Sequence, residues 1–356
     1  MAVTSAFLPA WFAQRGLSAA EIGQILGLGS VLRVVVVPAW GWVADRAGGR
    51  GTVLLAAASS AGLAAALLPA AQGFWPILLV AAVQGVSASA LTPLTDSLAL
   101  ALAAARRLEY GRTRAYGSVS YMLATVAAGW AVQMGGVALV PWVLAAGYGA
   151  AALLVTALPR VQAAPAAPGR AAGLLRNRAF LLTVAGSALV QGAHAAYYGF
   201  AVLHWRAAGI PDSVSGLLIA EGIVAEVALF VWGRRLVERL GPARLTALAS
   251  GASVVRWTAT AYVSDVPGLA LIQPLHAMTF ACQHLSAMLV LSRLPPHQAG
   301  RAQTILSAWG FAAPSGVLAW VSGQVYGAAG GGVFLLMAVV GGAGLGVAAA
   351  LARGGR

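Results

Sequence analysis

Nine ionisable side chains stand inside otherwise apolar stretches: Arg33, Asp96, Arg114, His194, Glu221, Glu226, Arg256, His276 and His284. A formal charge near the centre of a bilayer costs about 2.5–3.5 kcal/mol on insertion scales, so such residues face a wet cavity or a partner. Each taken alone fits a structural ion pair that pins two helices together. Taken as a set they fit a polar path across a membrane, because charge of the soluble-surface kind is otherwise absent from the chain. The chemistry within reach is proton transfer by carboxylates and imidazoles, and capture of a charged solute by an arginine.

Two constellations can be placed. The first is P-L-T-D-S at Pro93–Ser97, followed by E-Y-G-R-T-R-A-Y-G-S at Glu109–Ser118. Asp96 lies toward one end of a predicted helix and Arg114 one turn into the next, so a short antiparallel turn brings them to similar depth as a pair. The second is Glu226, Arg256, His276 and His284. The two histidines are eight positions apart, about two helical turns, and therefore share a face that could be a proton-accessible wall. Their alternative role is hydrogen bonding to neighbouring helices. The spacing has no adjacent cysteine or H-E-x-x-H context, so no metal is expected there. His194, Tyr197 and Tyr198, beside Gly192 and Gly199, offer rings and hydroxyls suited to an aromatic or amphipathic ligand. An interfacial aromatic belt is the competing reading, with His204 and Trp205 assigned to such a belt.

The elements that must carry these residues follow from composition. Sixty per cent of the 356 residues are hydrophobic and 9% are charged, which excludes a water-soluble globular domain, where about a quarter are charged. About 20 apolar residues cross the hydrocarbon, so this length holds about a dozen spans and no soluble domain. Beyond Met1–Ala13 and Ala19–Val43, spans are predicted at approximately 52–70, 75–103, 114–134, 138–158, 178–204, 214–233, 244–262, 267–292, 302–327 and 331–351. Met1–Ala13 is too short to span unaided. The expectation is a first helix whose true start lies some ten residues upstream, with a re-entrant segment as the rival.

The net charge of +13 is carried by arginine without a single lysine, and it recurs at alternate loops. That pattern argues against a nucleic-acid surface. Loops after even-numbered helices, with the C-terminus, hold 17 arginines, whereas the opposite side holds only Arg15 and Arg206. Positive charge stays inside, so the Arg-rich side is expected to be cytoplasmic, with the C-terminus there, in a bacterial inner (plasma) membrane. The lone Cys282 rules out a disulfide framework. Gly-rich stretches such as Gly330–Gly332 and Gly341–Gly346 suit close helix packing rather than phosphate loops.

Between two apolar runs lies G-W-V-A-D-R-A-G-G-R at Gly41–Arg50. Asp45, Arg46 and Arg50 hold charge at the headgroups, while Gly48 and Gly49 allow the chain to reverse. A degenerate echo, G-R-R-L-V-E-R-L-G, occupies Gly233–Gly241, with Glu238-Arg239 standing 193 residues after Asp45-Arg46. Arg33 precedes Asp45 by twelve residues, as Glu226 precedes Glu238, which makes them repeat-equivalent cavity-lining charges. The Pro- and Ala-rich break at Pro159–Gly173 is the only linker-like composition. The organisation expected is a six-helix half over 1–158, a cytoplasmic linker over 159–176 and a second six-helix half over 177–356.

The spacing G-x-x-x-D-R-x-G-x-R resembles the loop between the second and third helices of the major facilitator superfamily. There Gly41, Asp45, Arg46, Gly48 and Arg50 would form a cytoplasmic gate. A narrower resemblance rests on Q-G-A-H-A-A-Y-Y-G-F at Gln191–Phe200, I-V-A-E-V-A-L-F at Ile223–Phe230, R-W at Arg256–Trp257 and L-H-A-M-T-F at Leu275–Phe280. These stretches are similar to the phenylpropionate permease branch, which is related to the lactose permease, and the similarity covers nearly the whole chain. The resemblance implies an all-α integral membrane protein with the major facilitator fold. It also implies proton-coupled uptake of a small organic (aromatic) carboxylate such as 3-phenylpropionate.

By that resemblance Asp96 matches a substrate-binding carboxylate and Arg114 its partner, with Arg256 and His276 in a proton-coupling network. Thr279 departs from the pattern, standing where the lactose permease has its proton-carrying carboxylate, which leaves Asp96, Glu226, His276 or His284 to carry the proton. Arg33, His194, Tyr197 and Tyr198 complete the expected substrate-binding set. No cofactor is expected beyond the proton as coupling ion. The expected partners are a small-molecule substrate and the bilayer, with no nucleic acid, and the protein is expected to act as a monomer. Alternatives are the same fold carrying a sugar or nucleoside, a drug exporter, an intramembrane enzyme using Asp96 and His276, and a receptor that has lost transport.

Overall fold

In a bilayer every backbone N–H and C=O must find its partner inside the protein, so apolar sequence of this kind is driven to helix. The computed structural model describes residues 2–46, 49–104, 109–158 and 173–354, and no strand occurs among these described residues. The first residues form two short helices, α1 (Ala2–Ala6) and α2 (Leu8–Gln14), which bury Phe7, Leu8, Trp11 and Phe12. Then come α3 (Ala19–Arg46), α4 (Arg50–Leu67), α5 (Phe74–Ser89), α6 (Leu91–Ala104), α7 (Tyr110–Gly135) and α8 (Val140–Thr156). After the linker follow α9 (Arg178–Gly192), α10 (Ala195–Ala207), α11 (Asp212–Trp232), α12 (Arg234–Tyr262), α13 (Val266–Ile272) and α14 (Gln283–Leu291). The chain ends with α15 (Pro296–Ile305), α16 (Ala313–Ala329) and α17 (Gly332–Gly354). Among the described residues, eight helical stretches are long and apolar enough to cross a membrane.

Three spans predicted as continuous are interrupted, each for a local reason. Span 75–103 is broken at Ala90, just ahead of Pro93, which has no N–H to continue the ladder. Span 178–204 is broken after Gly192. The His194 ring bonds the Val190 carbonyl (Nδ1 to O, 3.0 Å), and the His194 N–H moves to the Gln191 carbonyl at 3.1 Å. Span 267–292 is broken around Pro274 and continues as a π-helical stretch, Ala277–Cys282, before α14. A second π-helical stretch, Leu306–Ala312, joins α15 to α16.

The Gly41–Arg50 segment is less of a loop than its composition indicates. Helix α3 runs through Gly41 to Arg46, and α4 starts at Arg50. Gly49 has φ +120°, a conformation that side-chain-bearing residues avoid. The Arg46 guanidinium lies 4.0 Å from the Trp42 ring centroid. The Asp45 side chain and Gly48 lie outside the described residues. The echo at Gly233–Gly241 differs in form, because residues 234–240 are helical and the bend comes at Gly241, with φ +68°.

Helices α3 and α16 pack along one another, as do α7 and α11, joining the chain before the linker to the chain after it. Both contacts are made by glycines. A Cβ built on Gly23 would lie 2.8 Å from Gly323 Cα, and one on Gly216 would lie 3.3 Å from Gly129 Cα. Burial changes along these helices. On α3, Ile22 and Ile25 are buried, whereas Val35 is 72% exposed. On α7, Ala128 and Val132 are buried, whereas Tyr116 is 66% exposed. The molecule is therefore closed at the end that bears Arg15 and Arg206 and splayed at the Arg-rich end. At the closed end Arg206 Nε pairs with Asp212 Oδ1 at 3.3 Å, and the Asp212 N–H donates to Gln133 Oε1 at 2.9 Å.

Candidate functional site

The breaks at His194 and Pro274 lie side by side, and the buried charge collects where they meet. Arg256, on α12, is fully buried. Its Nη1 donates to His276 Nδ1 at 3.0 Å and to Thr279 Oγ1 at 3.0 Å. Beyond it, His276 Nε2 faces Glu226 Oε2 of α11 at 3.2 Å. On the other side, Thr279 Oγ1 lies 3.1 Å from His194 Nε2. A consistent set of donors satisfies the chain with neutral rings. Arg256 donates to Thr279, Thr279 donates to His194 Nε2, and His194 Nδ1–H donates to the Val190 carbonyl. In the other direction His276 accepts at Nδ1 and donates from Nε2 to the Glu226 carboxylate.

Arg256 Nε and Nη2 are buried with no hydrogen-bond partner among the described residues. Aromatic faces stand beside them. The guanidinium carbon is 4.7 Å from the Tyr197 ring centroid and 4.4 Å from that of Trp257, within cation–π range. The Tyr197 hydroxyl donates to Gln273 Oε1 at 2.9 Å, which ties α10 to the break before His276. The His194 ring is edge-on to Trp257, His276 and Phe280 at centroid distances of 5.1, 5.5 and 5.9 Å, and stacked on Tyr198 at 6.0 Å. A buried cation with spare donors is a group that engages an anion.

Of the residues expected from sequence, His194, Tyr197, Tyr198, Glu226, Arg256 and His276 come together here. His284 is set apart, in a ladder of stacked rings from His276 through Phe280 at 5.3 Å to His284 at 6.4 Å. Asp96 is half-buried on α6 and outside this cluster, and it makes no ion pair among the described residues. Arg114 is on α7, one turn in as expected, but its side chain lies outside the described residues, so the proposed pair with Asp96 does too. Arg33, on α3, has its Nε buried without a hydrogen-bond partner among the described residues. The assignment of Trp205 to a lipid-facing belt is corrected: it is fully buried, its ring 5.9 Å from Tyr197. His204 packs on Phe334 at 5.6 Å.

Sequence reasoning missed Gln273 and Trp257 as members of the cluster, and read Thr279 only as a lost carboxylate. Gln273-Pro274 was the available signal, a polar residue next to a helix breaker.

The MFS_1 like family matches residues 1–337. The probable 3-phenylpropionic acid transporter of Escherichia coli (strain K12) is 31% identical over 346 residues, spanning 94% of this chain and 90% of that protein. The maltose permease of Geobacillus stearothermophilus is 31% identical over 257 residues, 70% of this chain and 64% of the permease. Among solved structures, the nucleoside transporter NupG superposes with a TM-score of 0.79 at 18% identity, over 99% of this chain and 96% of NupG. An inward-facing bacterial homolog of the human lysosomal transporter Spinster gives 0.70 at 16% identity, over 98% and 92%. The likeness to both structures lies in the fold. Broken helices around a buried polar centre, the all-helical membrane architecture and the match over most of the chain agree: this protein is a transporter, not an enzyme, and belongs to the MFS_1 like family of the major facilitator superfamily.

Proposed function

We propose that this chain takes up a small aromatic carboxylate together with a proton. Two six-helix halves, 1–158 and 177–356, would rock about the buried cluster with the Arg-rich end in the cytoplasm. The observation that carries the reading is the Arg256 guanidinium, fully buried among Tyr197, Trp257 and His194, with two nitrogens lacking a hydrogen-bond partner among the described residues. A carboxylate would satisfy those donors bidentately, and the rings would pack on its aromatic body. A neutral sugar would leave the cation uncompensated, which disfavours the substrate class of the maltose permease. The 31% identity to the probable 3-phenylpropionic acid transporter of Escherichia coli supports the same substrate class.

The proton follows from charge. A carboxylate held by Arg256 adds a negative charge next to the Glu226–His276 pair, and moving all of these through a low-dielectric interior is costly. Protonation of Glu226 removes one charge and frees His276 to turn toward the substrate. The test is uptake of labelled 3-phenylpropionate into proteoliposomes with and without an inward proton gradient. Gradient-driven accumulation of unaltered compound is expected. Folded protein that neither accumulates nor exchanges it would refute the substrate.

A further inference from the structure

Away from the charged cluster, at the closed Arg-poor end, a cavity of about 370 Å³ lies between the two portions of the chain. One wall is Ala13 and Gln14 of α2 with Val137 of the turn before α8, and the other is Leu203, Arg206 and Ala207 of α10. Arg206 is engaged through Nε with Asp212 at 3.3 Å, and among the described residues its two Nη groups make no hydrogen bond. The rest of the wall is small and apolar, with the exposed Gln14 amide opposite. We infer that this cavity is a second binding site, for a small carboxylate arriving from the Arg-poor side, and that its occupancy holds that end shut.

The linkage follows from who supplies the walls. A ligand shifts a two-state equilibrium only by its difference in affinity between the states. This cavity has both walls only while α2 and α10 are together, so its occupant binds the closed state and not the opened one. Arg206 adds a second tie, since its partner Asp212 sits where α11 meets Gly129 of α7, the Asp212 carbonyl oxygen being 2.7 Å from the position of a Cβ on Gly129. An anion on the free Nη groups leaves the Nε contact to Asp212 in place, so the ligand and the latch are compatible. The volume lies within the range for small-molecule sites, about 300–1,000 Å³, and suits a benzoate-sized ion. Carboxylate outside would thus act as a brake on opening to that side. The inference stands independently of what Arg256 carries.

The test reads conformation rather than transport, so a wrong substrate for the central site leaves it intact. Spin labels are placed on Gln72→Cys and Ala208→Cys, in a Cys282→Ala background. Interlabel distances are measured in phosphatidylcholine nanodiscs across a benzoate titration. Benzoate is expected to reduce the residual long-distance population at least about threefold, and benzamide, its neutral counterpart, to have no effect. Ala207→Leu fills the cavity without touching Arg206–Asp212, and it should abolish the response while leaving the benzoate-free distribution unchanged. Arg206→Gln should abolish the response too. No shift in the otherwise unaltered protein overturns the site. A shift that survives Ala207→Leu places the anion elsewhere and also overturns it. Equal action by benzamide overturns the anionic class. A shift produced by phosphatidylglycerol alone assigns the cavity to a lipid headgroup and overturns a dissolved carboxylate.

Discussion

Gly23 gives the sharpest test of how the Arg-poor end closes. A methyl on Gly23 would meet the Ala319 carbonyl oxygen and Gly323 Cα, each at 2.8 Å. Both are backbone atoms, so no rotamer change relieves the contact. Ordinary van der Waals distance begins at 3.4 Å, so α3 and α16 must part by about 0.6 Å or tilt. Overpacking of this kind costs about 1–3 kcal/mol. Only the closed arrangement bears that cost, so Gly23→Ala should raise the open population by roughly 5- to 150-fold, at about 1.4 kcal/mol per tenfold. The reporter is Ser213→Cys in a Cys282→Ala background. Ser213 is 8% exposed, and its Cα lies beside Gly129 in the second glycine contact, so opening uncovers it. Maleimide labelling should accelerate by the same factor in Gly23→Ala. The control is Gly29→Ala on the same helix, where a Cβ meets nothing within 4 Å. Equal labelling rates in the two folded variants would refute a closure set by glycine contact.

Three further outcomes follow from the cluster. Arg256→Lys keeps the charge but loses the planar fork that reaches His276 and Thr279 together. Losing one charge-assisted bond, about 1.5–3 kcal/mol, should cut 3-phenylpropionate uptake at least about tenfold, and unimpaired uptake would remove Arg256 from the site. Thr279→Val is nearly isosteric and strips the hydroxyl between Arg256 and His194. Leaving buried groups unpartnered costs about 1–3 kcal/mol, so the thermal unfolding midpoint in detergent should fall; an unchanged midpoint would mean the bridge contributes nothing. Glu226→Gln keeps the hydrogen-bonding shape but cannot cycle a proton, so gradient-driven accumulation should vanish while substrate exchange across the membrane persists. Retained accumulation would move the proton to another group.

The spans were legible because the bilayer leaves the backbone no alternative to helix, and apolar runs of spanning length have one solution. The breaks were not, because composition does not report a competition between side chain and backbone. At His194 the ring takes the very carbonyl that its own N–H would have used, and only Gly192 nearby hints at it. Pro274 was a readable breaker hidden inside an apolar run of full length. The same limit explains Thr279. Its type reads as a carboxylate lost, yet the hydroxyl both accepts and donates, which is what a bridge between arginine and imidazole needs. The polar composition from Gly41 onward reads as a turn, yet helix continues to Arg46, three residues beyond the predicted run Ala19–Val43. Trp205 looked interfacial from its position near a helix end, and burial against Tyr197 is a tertiary fact that no local pattern carries.

Position along one helix connects the closed end to the charged cluster. On α11, Gly216 meets α7, a Cβ there lying 2.9 Å from the Thr125 carbonyl oxygen. Six residues on, Gly222 meets the other break, a Cβ there lying 3.1 Å from His276 Cβ and 3.3 Å from the Gln273 carbonyl oxygen. Glu226 follows one turn later and pairs with His276. At 1.5 Å per residue, the glycine contact and the carboxylate are about 15 Å apart on a single uninterrupted helix. Such a helix moves as a rod, so parting of α7 and α11 at the closed end must displace Glu226 against His276 or carry α13 and the π-helical stretch with it. The absence of side chains at Gly216 and Gly222 leaves no compliant layer to absorb the shift. If the two halves rock as units the second outcome holds: α11 carries α13 and the π-helical stretch with it, and the Glu226–His276 pair travels intact with the half that contains it.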